Sequence, residues 1–246
     1  MQLVPTDIAV CTATGEVRRN GEPVPLRDRE REIVVAIAVQ PDPISVERLG
    51  ELLFPDRDPA NSANTVKVTV CRLRRRLGDD VIVHRQRGYA LGPRATSDLA
   101  QARTFLLRHA AHGAGVSPRE RERILVLARN LRREPLPGLS RCAWHEAVAR
   151  FAQRAGRDIA MLLARRAIDS RELQAAVGIA RELTYEDACD EEAWELLIRA
   201  QLELGERVAA RHGFRILATA LAKDLELLPS PSIRRLVEVH CGAVAI

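Results

Sequence analysis

Hydrophobic and polar positions in the first third of the chain change period several times, and each change marks an element. Residues 15–26, GEVRRNGEPVPL, read as two short strands around Asn20-Gly21, a dipeptide that accepts the positive φ of a tight hairpin turn. Arg29 to Val39 then supplies a first helix. Ser45 can cap a short helix that carries Val46, Leu49, Leu52 and Leu53. After a connector with Pro55 and Pro59, the stretch Asn61 to Leu77 returns apolar residues at spacings of three and four: Val66, Val70, Leu73 and Leu77. Gly78 follows where a left-handed cap would end that helix. Val81 and Val83, then Tyr89 and Leu91, alternate around His84-Arg85-Gln86-Arg87-Gly88, which predicts a hairpin with a basic tip and a glycine free to take positive φ.

From Ser97 onward the pattern is helical throughout. Ser117-Pro118-Arg119-Glu120 is a capping box with proline at the first helical position, and the helix it opens carries Ile124, Leu125, Leu127, Ala128 and Leu131. Gly113 and Gly115 break the helix before it, and Pro135 with Pro137-Gly138 ends it. Four or five further helices precede Pro229 and Pro231. A weak repeat with a period of about 34 residues, that of tetratricopeptide repeats, pairs Leu163 with Leu197, Ala176 with Ala210, Ala180 with Phe214, and Leu183 with Leu217. Small alanines would let paired helices approach, while Trp194 and Phe214 fill the gaps, so Trp194 reads as core rather than as a ligand contact.

Charge changes the picture most between Asn61 and Arg94. Eight cations (Lys67, Arg72, Arg74, Arg75, Arg76, Arg85, Arg87, Arg94) stand against Asp79 and Asp80, a net of +6 where the whole chain carries +5. A basic module on a near-neutral remainder points to an electrostatic partner, most simply the DNA backbone. On the long helix the face opposite the apolar stripe is centred on Asn61, Asn64, Val68, Cys71, Arg72 and Arg75, with Lys67 and Arg74 on a flank. Asn and Arg suit adenine and guanine edges, and Lys and Arg suit phosphates. About 17 residues at 1.5 Å each give roughly 25 Å, enough to lie in a major groove while anchored behind. The alternative is a surface helix with solvated arginines; the basic hairpin that follows argues against it. Helix, connector, long basic helix and hairpin is the order of a winged helix-turn-helix. Cys71 lies on the outward face and reads as a serine substitute rather than as a redox sensor.

Composition bounds the remainder. A chain of 246 residues, 46% hydrophobic and 29% charged, holds two ordinary globular domains. The longest apolar run, Ile33 to Val39, is far too short to span a bilayer, and MQLVPTDIAV lacks the basic start of a secretion signal, so no membrane role is expected. Five scattered cysteines suggest a reducing, cytoplasmic compartment without a disulfide framework. Aromatics at 3% argue against a stacking platform for single strands. His109-x-x-His112 and Cys142-x-x-His145 lack the second pair a zinc site needs, and no Walker motif, receiver domain or catalytic constellation is visible. We expect no metal, no cofactor and no enzyme activity.

LGELLFPDRDP, NTVKVTVCRLRRRLGDD and HRQRGYAL resemble the DNA-binding domain of OmpR-type regulators. PLPGLSRCAWHEAVARF, AARHGFRILATALAKDLEL and PSPSIRRLVEVH resemble the bacterial transcriptional activator domain. Together they are the architecture of the Streptomyces antibiotic regulatory protein (SARP) family. The resemblance implies a mainly α fold with small β elements: an OmpR-like winged helix-turn-helix over residues 1–94, then an all-α, TPR-like domain over residues 95–246. It makes Asn61–Leu77 the recognition helix and Arg85 to Gly88 the wing that approaches the minor groove. The connector Phe54 to Pro59, with Phe54, Asp56, Arg57 and Asp58, becomes a loop that touches RNA polymerase.

The expected function is a cytoplasmic, nucleoid-associated regulator of transcription, an activator of a secondary-metabolite gene cluster. Asn61, Asn64, Val68 and Arg72 would read bases, Thr65, Lys67, Arg74, Arg75 and Arg76 would hold phosphates, and Arg85, Gln86, Arg87 and Gly88 would form the wing. Partners would be double-stranded DNA with direct repeats near promoters, RNA polymerase and its σ factor, and a second protomer on the DNA. Two other readings stay open: a TPR-like adaptor whose basic half binds an acidic protein, and a repressor or virulence-type regulator of the same architecture.

Overall fold

The computed structural model describes residues 7–86, 88–110, 116–136, 139 and 142–242. Its secondary structure is mainly helical, with short strands near the N-terminus, as the pattern predicts. Packing divides the chain into two compact units, Met1–Gly156 and Arg157–Ile246.

The first unit opens with β1 (Ile8–Val10), β2 (Val17–Arg19) and β3 (Glu22–Pro23), which pair antiparallel in turn. Asn20 and Gly21 between β2 and β3 have φ of 50° and 88°, the left-handed pair that a two-residue hairpin requires. A fourth strand, β6 (Ala95–Ser97), lies parallel to β1 and completes the sheet order β3-β2-β1-β6. Neither β1 nor β6 is expected from pattern, since three residues are too few to show a period.

Three helices follow and pack on one another, with α1 also against β1: α1 (Asp28–Ala38), α2 (Val46–Leu53) and α3 (Pro59–Leu77). Ser45 caps α2, accepting from the Arg48 amide at 3.1 Å. Helix α3 starts two residues earlier than apolar spacing alone indicates. Asp58 caps it, accepting from the Ala60 and Asn61 amides at 3.0 and 3.2 Å, and Pro59 fills the first helical position, where no donor is needed. At the other end Gly78 takes φ 108° and donates its amide to the Arg74 carbonyl at 2.7 Å. Gly50 lets α2 cross α3, because a Cβ there would stand 3.1 Å from that of Ser62. The stripe Val66, Val70, Leu73 and Leu77 is fully buried against Ile33, Ile37 and Leu49 of the same core. The hairpin follows as β4 (Ile82–Arg85) and β5 (Gly88–Leu91).

Helices α4 (Asp98–Ala110), α5 (Pro118–Leu131) and the first part of α6 (Ala143–Asp169) complete this unit. Ser117 caps α5 as the capping box predicts, at 3.3 Å from the Glu120 amide. The breakers Gly113, Gly115, Pro137 and Gly138, and His112, lie outside the described residues. Asp98 ties α4 to the sheet: its buried carboxylate accepts from the Thr12 amide at 2.8 Å, from the Thr12 hydroxyl and from the Leu99 amide at 2.8 Å. His145 on α6 donates a ring N–H to the Thr12 carbonyl at 2.7 Å. Burial pushes the Asp98 pKa up despite these bonds, and pushes that of His145 down.

The second unit holds the rest of α6 with α7 (Leu173–Glu186), α8 (Glu191–Glu203), α9 (Arg207–Asp224) and α10 (Pro231–Cys241). All eight residues paired by the 34-residue shift are buried, so the repeat is a packing repeat. Trp194 is core: it donates its indole N–H to the Ala188 carbonyl at 2.9 Å, and its ring lies 3.0 Å from where a Cβ on Gly213 would stand. Asp190 caps α8 and takes both ends of the Arg157 fork at 2.6 and 2.7 Å. Burial raises the Asp190 pKa, but the Arg157 bonds outweigh it and hold the carboxyl below its usual value. Among the described residues no helix is long and apolar enough to cross a membrane.

Candidate nucleic-acid interface

The buried stripe of α3 turns its opposite face outward. Asn61, Asn64, Lys67, Val68, Cys71, Arg72 and Arg75 are all exposed, and Thr65 is half-buried with its hydroxyl on the Asn61 carbonyl at 2.9 Å. Val68 is 43% exposed, an apolar residue in the middle of a polar face, which suits contact with a thymine methyl. Among the described residues, Asn61, Asn64, Lys67, Arg72 and Arg75 make no side-chain hydrogen bond or ion pair. The four residues expected to read bases thus share one open face with two of the expected phosphate contacts, Lys67 and Arg75.

Two other expected phosphate contacts are engaged within the protein. Arg76 donates to the buried Glu30 carboxylate at 2.8 Å and to the Pro25 carbonyl at 2.6 Å, while Arg19 from β2 donates to the Arg76 carbonyl at 2.7 Å. The C-terminal turn of α3 is therefore clamped from α1 and from the sheet. Arg74, half-buried, donates its Nε to the Ile82 carbonyl at 2.8 Å, and its guanidinium carbon lies 5.7 Å from the centre of the Tyr89 ring. Arg94 pairs with Asp7 and, at 3.4 Å, with Asp80.

At the hairpin tip Arg85 and Gln86 are exposed, and Gln86 holds the positive φ, 52°. Arg87 lies outside the described residues. Gly88 has a role the pattern does not announce: a Cβ there would stand 2.6 Å from the Ile44 carbonyl oxygen, so glycine lets the hairpin dock on the segment before α2. Ile44 and Tyr89 exchange backbone hydrogen bonds there at 2.9 and 2.8 Å.

In the connector, Asp56 and Arg57 are exposed, Asp58 is the cap of α3, and Phe54 is buried with guanidiniums of Arg29 and Arg57 each 5.1 Å from its ring centre. The Asp58-Pro59 signal was available in the sequence as an N-cap followed by N1 proline. The partners Glu30, Arg19 and Ile44 had no such signal. Cys142 and His145 are both used locally, Cys142 donating to Glu32 at 3.6 Å, and among the described residues no group of three His, Cys, Asp or Glu could hold a metal.

No curated protein matches the sequence. Among solved structures, the chain is similar to EmbR of Mycobacterium tuberculosis, determined in complex with a low-affinity phosphopeptide, with a TM-score of 0.67 at 24% identity. The similarity covers 94% of this chain and 64% of that one, and it is a likeness of fold. The family described as bacterial transcriptional activator domain matches residues 98–239. That match spans more than half of the 246 residues, and the chain belongs to this family.

Proposed function

We propose that the chain is a cytoplasmic, sequence-specific DNA-binding regulator of transcription, of the SARP type, in which residues 1–94 bind DNA and residues 95–246 form the activator part. The observation that carries the reading is the outward face of α3, a row of exposed Asn, Lys and Arg side chains that make no hydrogen bond or ion pair among the described residues, with one exposed valine, held by a buried stripe and two clamps. Asn61, Asn64, Val68 and Arg72 read base edges in the major groove; Thr65, Lys67 and Arg75 hold phosphates. Arg85, Gln86 and Arg87 at the hairpin tip approach the adjacent minor groove. Two protomers bind direct repeats near a promoter, and the exposed Asp56 and Arg57 offer RNA polymerase or its σ factor a charged contact. The regulated genes are a secondary-metabolite cluster, and the effect is activation.

The test is binding to sheared host DNA at about 150 mM salt, where counterion competition suppresses non-specific contacts. Recovery of a few promoter fragments sharing two half-sites at helical-turn spacing is expected. Uniform recovery across the genome would refute base reading by α3.

A further inference from the structure

We propose that Arg74 is the positioning residue that fixes the β4–β5 hairpin against α3, rather than a contact to DNA. In consequence it rests on the DNA-binding reading above; in geometry it stands alone. A two-stranded hairpin of four residues per strand is marginal on its own and takes its orientation from whatever holds its base. One guanidinium here reaches both strands. Its Nε donates to the carbonyl of Ile82, the first residue of β4, at 2.8 Å, and its guanidinium carbon lies over the ring of Tyr89 of β5, 5.7 Å from the ring centre.

Each of these anchor points is itself fixed. The Ile82 side chain is wholly buried in the core, and Tyr89, 8% exposed, is bonded through its backbone to Ile44 on the far side. Tyr89 also faces His84 across the strand pair, ring centres 5.6 Å apart and edge to face. Arg74 therefore stands at the end of a row, Arg74, Tyr89, His84, that runs from α3 to the residue before Arg85. The exposed tip, Arg85 and Gln86, projects beyond this fixed base. If the tip is to meet a minor groove while α3 lies in the major groove, the angle between them must be held, and Arg74 is a polar side chain of α3 that spans the gap beside the shared apolar core.

The chemistry of the contact favours arginine. The rigid guanidinium carries the Nε–H donor to Ile82 and stands over Tyr89 at the same time; a lysine ammonium is a point charge on a flexible stem and holds neither contact in a fixed geometry. A phosphate contact, by contrast, tolerates lysine, since charge is most of what it supplies. Arg74→Lys thus separates the two roles where Arg74→Ala does not.

The experiment has two arms on the full chain. Without DNA, hydrogen exchange of the amides of residues 82–91 is compared among wild type, Arg74→Lys and Tyr89→Leu. Arg74→Lys removes the Nε–H bond to Ile82 and the guanidinium over the ring, and Tyr89→Leu removes the ring itself, so each should speed hairpin exchange by about tenfold, while the buried amides of α1 stay protected. With a recovered promoter fragment, both variants should lose cleavage protection at the wing position and keep it at the α3 position. Wild-type exchange in Arg74→Lys, or full restoration of wing protection by that lysine, overturns the proposal. If wild type itself fails to bind DNA, the DNA-binding reading falls and the exchange arm still decides the tie. Should Arg74→Lys fail to fold, Tyr89→Leu against Tyr89→Phe gives the same decision: the phenylalanine keeps the stacked face and must keep slow exchange.

Discussion

Replacing Arg76 by alanine removes a guanidinium that holds two parts of the first unit to α3. Its two terminal nitrogens donate to Glu30 at 2.8 Å and to the Pro25 carbonyl at 2.6 Å. Glu30 is 5% exposed, and without Arg76 the bonded oxygen keeps, among the described residues, only the Arg27 amide at 3.0 Å. Breaking a fully buried pair by deleting one partner costs about 3–5 kcal/mol. The Arg76 side chain is 40% exposed, so water reaches the vacated side of the carboxylate, and about 1–3 kcal/mol is the expected loss. At this chain length each kcal/mol moves the midpoint by about 2–4 °C, so thermal unfolding followed by circular dichroism should fall by several degrees. Adding Glu30→Gln to Arg76→Ala should recover part of it, because a neutral amide is less costly to leave half-satisfied. An unchanged midpoint, with the salt dependence of DNA binding flattened by about one unit of slope, would refute this reasoning and put Arg76 on a phosphate.

Three further outcomes are expected. Asn64→Ala should weaken binding to the cognate fragment by about 1–3 kcal/mol and leave non-specific binding nearly unchanged in a filter or fluorescence titration; equal losses on both DNAs would remove its reading role. Arg75→Ala should lower the slope of log affinity against log salt by about one unit, and an unaltered slope would assign Arg75 to solvent. His145, whose pKa burial holds below that of the unfolded chain, takes up its proton less readily when folded, so it costs stability as pH falls through and below the usual histidine range near 6.5 and costs nothing above it. Wild type should therefore lose more of its midpoint between pH 7 and about pH 5.5 than His145→Gln does, and parallel curves would show that His145 is not the group responsible.

What could be read from the sequence was whatever repeats locally. The stripe on α3, the Asn20-Gly21 turn, the caps Ser45 and Ser117 and the repeat positions from Leu163 to Leu217 all rest on spacings of 34 residues or fewer, and the structure buries or bonds them accordingly. Strand β6 was hidden because its partner Ile8 lies far back along the chain from Ala95, and three residues carry no period. The roles of Arg74 and Arg76 were hidden for a related reason. A charge count treats every arginine alike, whereas Glu30 lies 46 positions from Arg76, and Tyr89 belongs to a different element from Arg74.

That distinction has a measurable consequence for the whole interface. Eight cations between Asn61 and Arg94 would suggest a salt slope near −7 if all met phosphates, at about −0.9 per contact. With Arg74, Arg76 and Arg94 held by protein groups, the cations left to face DNA are Lys67, Arg72, Arg75 and Arg85, with Arg87 beyond the described residues. Arg72 is assigned to a base edge, so the phosphate-facing set is smaller still, and the slope per protomer should fall near −3 to −4, roughly half of what the raw charge implies. A basic segment in a sequence therefore sets an upper bound on electrostatic contact, and the tertiary partners of each arginine decide how far below it the interface lies.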